Sequence, residues 1–138
     1  MPTYTTSLTS TTTPVPAKHG IETITVFTEF TVNTALVAND IVQLVKIPAG
    51  AVVTELTVSC SGSLGSTLTA EFGDGNDTDR YIVSATFGQG AASFVRLGAH
   101  TGLGASQTVE DTIDMKVNTA ASGTTGATIR CAAQYYIP

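Results

Sequence analysis

From Ile21 onward the apolar residues of this chain fall on every second position, and almost nowhere on every third or fourth. Ile24, Val26, Thr28, Phe30 and Val32 share one face of a first segment, with Thr23, Thr25, Phe27, Glu29 and Thr31 on the other. Strict alternation of this kind predicts a half-buried strand. Ile41 to Ile47 is apolar on both faces (Ile41, Gln43, Val45, Ile47 against Val42, Leu44, Lys46), which predicts a central strand covered on both sides. Pro48 ends it. Pro48-Ala49-Gly50 predicts a turn, proline fixing its own φ and Gly50 permitting a positive one. Val52, Thr54, Leu56, Val58 and Cys60 then form an expected inward row, with Glu55, Thr57 and Ser59 outward.

Later segments repeat the pattern. Leu68, Ala70 and Phe72 mark the inward side of a strand, short strands are expected at Tyr81–Val83 and Phe94–Leu97, and Ile113, Met115 and Val117 alternate with Asp114 and Lys116. Ile129, Cys131, Ala133 and Tyr135 line one face of a closing strand. About eight strands separated by turns rich in Gly, Pro, Ser and Asn, with no window of 3.6-residue period, predict an all-β, single-domain two-sheet β-sandwich. A jelly roll is the first choice, although strand count leaves an immunoglobulin-like order open.

Residues 1 to about 17 differ. They hold seven threonines, two serines and three prolines, with Tyr4, Leu8 and Val15 as the large apolar side chains after Met1. Such a stretch cannot bury enough to fold alone, so residues 1–20 are expected to form an extended Thr-rich N-terminal arm ahead of a β-sandwich domain at 21–138. Its β propensity and free backbone groups suit strand addition to a neighbour's sheet edge.

Composition narrows the function. Only 12% of the 138 residues are charged, against roughly 25% in typical soluble domains. The resulting surface of hydroxyls and small side chains costs little to desolvate, which favours an assembly component over a diffusing enzyme. A net charge of −5 and six scattered basic residues, Lys18, Lys46, Arg80, Arg96, Lys116 and Arg130, argue against nucleic-acid binding. No stretch approaches the roughly 20 apolar residues of a membrane span, and the N-terminus lacks the pattern of a secretory signal. Assembly in the cytoplasm follows, and with it the expectation that Cys60 and Cys131 are buried, reduced thiols.

Candidate chemistry is sparse. Asp74, Asn76 and Thr78 imitate the first ligands of an EF-hand, but position six is Asp79 instead of Gly and position twelve is Ala85 instead of Glu. The expected reading is a turn in which Asp74, Asn76, Asp77 and Asp79 cap their own backbone and Arg80 offsets the carboxylates. Ser61-Gly62-Ser63-Leu64-Gly65 lacks the first glycine and the helix of a nucleophile elbow. His19 and His100 have no local triad partner. Glu110, Asp111 and Asp114 could pair as glycosidase carboxylates, yet they read as outward charges at a strand edge. Gly88/Gly90 and Gly102/Gly104 lack the third glycine and the helix of a phosphate loop. The expectation is therefore no catalytic residue, no cofactor and no metal.

The string PAGAVV, an alternating strand, GDGNDTDRYI, and some thirty residues later DTIDMKV with a short closing strand, resembles small virion proteins of tailed bacteriophages. The resemblance spans most of residues 40 to 137 and stops short of the arm. It implies no enzyme, but a capsid decoration or cement protein on the outside of the shell, in the virion, with the major capsid protein and itself as partners, and a homotrimer as the usual solution. A carbohydrate- or receptor-binding module of a fibre or tail is the alternative, with Tyr4, Tyr81, Tyr135 and Tyr136 available to stack on sugars. An esterase or glycosidase comes third.

Overall fold

A computed structural model of the chain describes residues 22–90, 93–98, 102, 104, 106–119 and 125–138. The arm, with Tyr4 and His19, lies outside the described residues, as does His100. Among the described residues eight strands are formed: β1 (Thr23–Thr31), β2 (Ile41–Ile47), β3 (Val52–Cys60), β4 (Thr69–Gly73), β5 (Ile82–Thr86), β6 (Ser93–Arg96), β7 (Asp111–Thr119) and β8 (Thr128–Tyr136). They make two four-stranded antiparallel sheets in the orders β1-β8-β3-β6 and β2-β7-β4-β5. Consecutive strands alternate between sheets except at β4-β5, and this double Greek key is the jelly roll.

The inward rows of β1, β7 and β8 follow the alternation. Val26, Thr28 and Val32, then Ile113, Met115 and Val117, then Ile129, Cys131, Ala133 and Tyr135 are all buried. Between the layers they meet Leu44, Ile47, Leu56 and Phe72, each at 1% exposure or less. Burying one such side chain contributes about 1.5–3 kcal/mol, so this interlayer seam dominates the stability. Phe72 also meets Phe87 edge-on, with ring centroids 5.5 Å apart.

Two strands depart from the expected pattern, and for the same physical reason. β2 is the end strand of its sheet, not a central one. Its register against β7 shifts between Gln43 and Val45, so Leu44 is an extra residue and the alternation changes phase there. Val42 and Leu44 point inward before the bulge, Val45 and Ile47 after it, which is why both faces look apolar in sequence. In β3 the shift falls between Val53 and Glu55. Val53 is fully buried, while Thr54 is only part-buried and donates its hydroxyl to the Gln134 carbonyl at 3.2 Å. Beyond the bulge Leu56, Val58 and Cys60 resume the inward row as expected.

Antiparallel order puts the connections at two ends. The 48–51 corner, the 74–81 turn and the segment leading into β7 lie at one end, together with the start of β1. The 32–40, 61–68 and 125–127 segments and Phe87 lie at the other.

Candidate functional site

The corner end is built on one buried carboxylate. Asp74 is 2% exposed, which is costly for a charge unless every lone pair is engaged. Its Oδ1 accepts the amides of Asn76 at 3.0 Å and Asp77 at 2.9 Å. Its Oδ2 accepts Arg80 Nε–H and, at 3.2 Å, the side-chain amide of Gln107. Burial alone would raise the Asp74 pKa, but the hydrogen bonds from Gln107, Arg80 and the two amides outweigh it and hold the carboxyl below its ordinary value. Gly73 is obligatory here, since a Cβ on it would lie 2.0 Å from the Asp77 carbonyl oxygen.

Gln107 ties this turn to the Pro-Ala-Gly corner. Its backbone N–H donates to Ala51 O at 2.8 Å and its carbonyl accepts Gly50 N–H at 2.7 Å. Its side-chain amide also donates to the phenol oxygen of Tyr81, which is fully buried and whose pKa is pushed up to about 12 by burial and by the Asp74 charge. Gly50 has φ +83°, as expected of that position, and Ala51 N–H closes the corner on Pro48 O at 3.3 Å. Nothing in the alternation singles out Gln107. It stands in a loop, and only its deep burial reveals its role.

Two further carboxylates crowd the same end. Asp111 accepts the Gly75 amide at 3.0 Å. Asp114, expected to face outward, is instead half-buried across from Gln43 and Gly73. Burial, followed by the charges of Asp111 and Asp74, pushes its pKa up to about 6 against the pull of the Thr112 hydroxyl. Glu110 is outward and pairs with Lys46 at 3.0 Å. Asp79 shares a hydrogen bond with Asp77, which raises its pKa. With both Asp74 oxygens engaged inside the protein, the turn works as a structural clasp, and among the described residues no group of His, Cys, Asp or Glu is arranged around a common cation position.

The remaining candidates separate. Ser61 is engaged by the backbone, its Oγ accepting Thr128 N–H at 2.9 Å, and Leu64 is fully buried with no helix following. Cys60 and Cys131 are buried free thiols on the β3–β8 pair. Burial pushes Cys131 up to about 12 and raises Cys60 despite hydrogen bonds to the backbone of residues 61 and 62. Tyr81 and Tyr135, offered as sugar-stacking platforms, are in the core at 0% and 6% exposure.

The surface most suited to macromolecular contact is the outer face of β1-β8-β3-β6. Phe27 is 76% exposed there, directly across from Ala132, which in turn faces Thr57. Thr25, Thr31 and Ser59 extend the same hydroxyl-rich face. Its charges are already neutralised in pairs, Glu29 with Arg130 at 2.8 Å and Glu55 with Arg96 at 2.9 Å.

Comparison with solved structures finds this fold in phage capsids. The chain is similar to one in the capsid of Ralstonia phage GP4, with 24% identity, 92% of this chain and 91% of that one covered, and a TM-score of 0.73. It is similar to one in the capsid asymmetric unit of cyanophage Pam1, with 21% identity, both chains covered in full and a TM-score of 0.76. A chain in the acidic stable capsid of Helicobacter pylori bacteriophage KHP30 is more distant, at 15% identity over 87% of this chain and 90% of that one, with a TM-score of 0.57. No protein-family model and no curated protein matches the chain. At these identities the likeness establishes the fold, a jelly roll.

Proposed function

We propose that this chain is a structural protein of a bacteriophage virion that decorates the outside of the capsid shell and reinforces it. The observation that carries the reading is end-to-end likeness: chains taken from two phage capsids match this one over nine-tenths or more of both lengths. The match is thus to a whole small protein of a capsid and not to one module within a larger chain.

The physics of the surface fits that role. Phe27, midway along the end strand β1, supplies an apolar anchor on a face whose hydroxyls shed water cheaply and whose charges are paired within the face. Contacts of this kind are individually modest. A protein holding several shell subunits at once gains through multivalency, because release requires all contacts to open together. No catalytic step is needed, and partners are the major capsid protein and further copies of this chain, with a homotrimer as the expected assembly. The fibre or tail module is less well supported, since burial removes Tyr81 and Tyr135 as sugar platforms.

Copy number separates the two readings. Quantitative mass spectrometry of purified virions is expected to find this chain at a level comparable with the major capsid protein. A handful of copies per particle would point to a fibre or tail.

A further inference from the structure

The two outer faces of the sandwich carry charge in opposite ways. On β1-β8-β3-β6 the charges of the described residues cancel within the face, Glu29 with Arg130 and Glu55 with Arg96. Beside those pairs a row of Phe27, Ala132 and Thr57 runs across three strands. On β2-β7-β4-β5 and at its corner end, Lys46, Arg80 and Lys116 are matched by Glu110, Asp74 and Glu71, while Asp77, Asp79, Asp111 and Asp114 stand in excess. Asp114 lies on the outer row of β7 between inward Ile113 and Met115. Thr78 Oγ1 donates to Glu71 at 2.5 Å and holds the 74–81 turn against the same side. Four of the chain's five net negative charges are thus gathered on one side of the molecule.

A charge carried into an interface loses its water and needs an opposite charge in return. The first face makes no such demand, because its ion pairs stay paired on docking and only small and hydroxyl side chains around one apolar anchor are dried. It therefore complements a surface that itself has no net charge. The second side can enter a contact only against a basic surface, and two copies meeting through it would repel. Nor does a second copy suit the first face. Two copies locked through it would turn their acidic sides outward and leave no neutral face for the shell.

We infer that the chain docks on the shell through the outer face of β1-β8-β3-β6, that its partner there is a patch of shell surface without net charge, and that the acidic side of β2-β7-β4-β5 is turned to solvent. This rests on the virion reading above and adds to it the orientation and the chemistry of the contact. Binding of this kind is indifferent to salt, since no net charge is screened when the surfaces meet.

The test binds full-length protein to shells that lack it. Thr25→Cys and Asn76→Cys, both at exposed positions, place one thiol on each side of a protein whose own cysteines are buried. A maleimide should label both in free protein. On shells Thr25→Cys should react at least about tenfold more slowly and Asn76→Cys at its free rate, as expected when one side alone is covered. The Kd should change by less than about threefold between about 50 and 500 mM salt, and by no more in Asp79→Lys. Phe27→Asp should leave the size of the free protein in light scattering unchanged. Protection of Asn76→Cys, free reaction of Thr25→Cys on the shell, a Kd weakened more than about tenfold by salt, or a Phe27→Asp variant that dissociates an oligomer of the full chain would each overturn the inference and leave the virion reading standing. Shells that bind none of the protein would overturn that reading and the inference with it.

Discussion

The two ends of the sandwich are closed by different physics. At the corner end a polar net centred on Asp74 and Gln107 binds the 48–51 corner, the acidic turn and the approach to β7, with every bond directional. At the far end Leu64, Leu68 and Phe87, all fully buried, and Val32 and Leu36 plug the space between the layers. Backbone bonds there, Leu64 N–H to Gly88 O at 2.6 Å and Val32 N–H to Ala127 O at 3.0 Å, only fasten the edges. A directional net fixes geometry and responds to pH, whereas apolar closure supplies stability with little positional demand.

The contrast breaks first at the far end. Phe87→Ala removes a fully buried ring stacked edge-on against Phe72 and is expected to cost about 3–5 kcal/mol in chemical unfolding. A loss under about 1 kcal/mol would mean that packing does not hold this end.

Gln107→Ala should cost less, about 2 kcal/mol, through the unmet hydrogen-bonding capacity left on Asp74 and Tyr81. It should also loosen the corner, read as faster exchange of the Gly75, Asn76 and Asp77 amides with the far end unaffected. Equal acceleration at both ends would deny that the two are separately built.

Asp114 gives the net its pH dependence. Its folded pKa of about 6 lies above the ordinary carboxyl value of 3.8. The folded state therefore binds the extra proton, and stability is highest below about pH 4 on this account and falls as pH rises through 6. Asp74 acts oppositely, its depressed pKa adding stability above its ordinary value that is lost on strong acidification. Asp114→Asn should remove the decline between pH 4 and 6 and raise stability at pH 7.5 by about 1–2 kcal/mol, partial exposure discounting the full shift. A variant whose pH profile parallels the parent would refute this.

The smallest effect expected is none. Because Asp74 is satisfied by protein donors, chelation of calcium should leave the melting temperature unchanged. A fall of several degrees reversed by calcium would show that the clasp is a metal site.

The sequence made some of this legible and hid the rest for identifiable reasons. Period two located the inward rows of β1, β7 and β8, because no extra residue falls within those rows; Asn118, the residue left over where the β4–β7 register shifts, comes after Val117. It misled at β2 and β3, where Leu44 and Thr54 are bulge residues and the phase changes without any residue-type signal. The self-capping turn at Asp74 was readable from local Asx chemistry. Its burial was not, nor was Gln107, because both depend on loops brought together from 48–51, 74–81 and 107. Asp114 looked like any outward charge until the neighbouring carboxylates and Gly73 closed over it.

The most direct test of the decoration role is to titrate purified full-length protein onto capsid shells from a phage deleted for this gene. Saturable binding to the shell exterior in copy numbers commensurate with the major capsid protein is predicted, with a higher temperature of shell disruption and weaker binding by Phe27→Asp. Shells that bind no protein, or bind it without any gain in stability, would contradict the account.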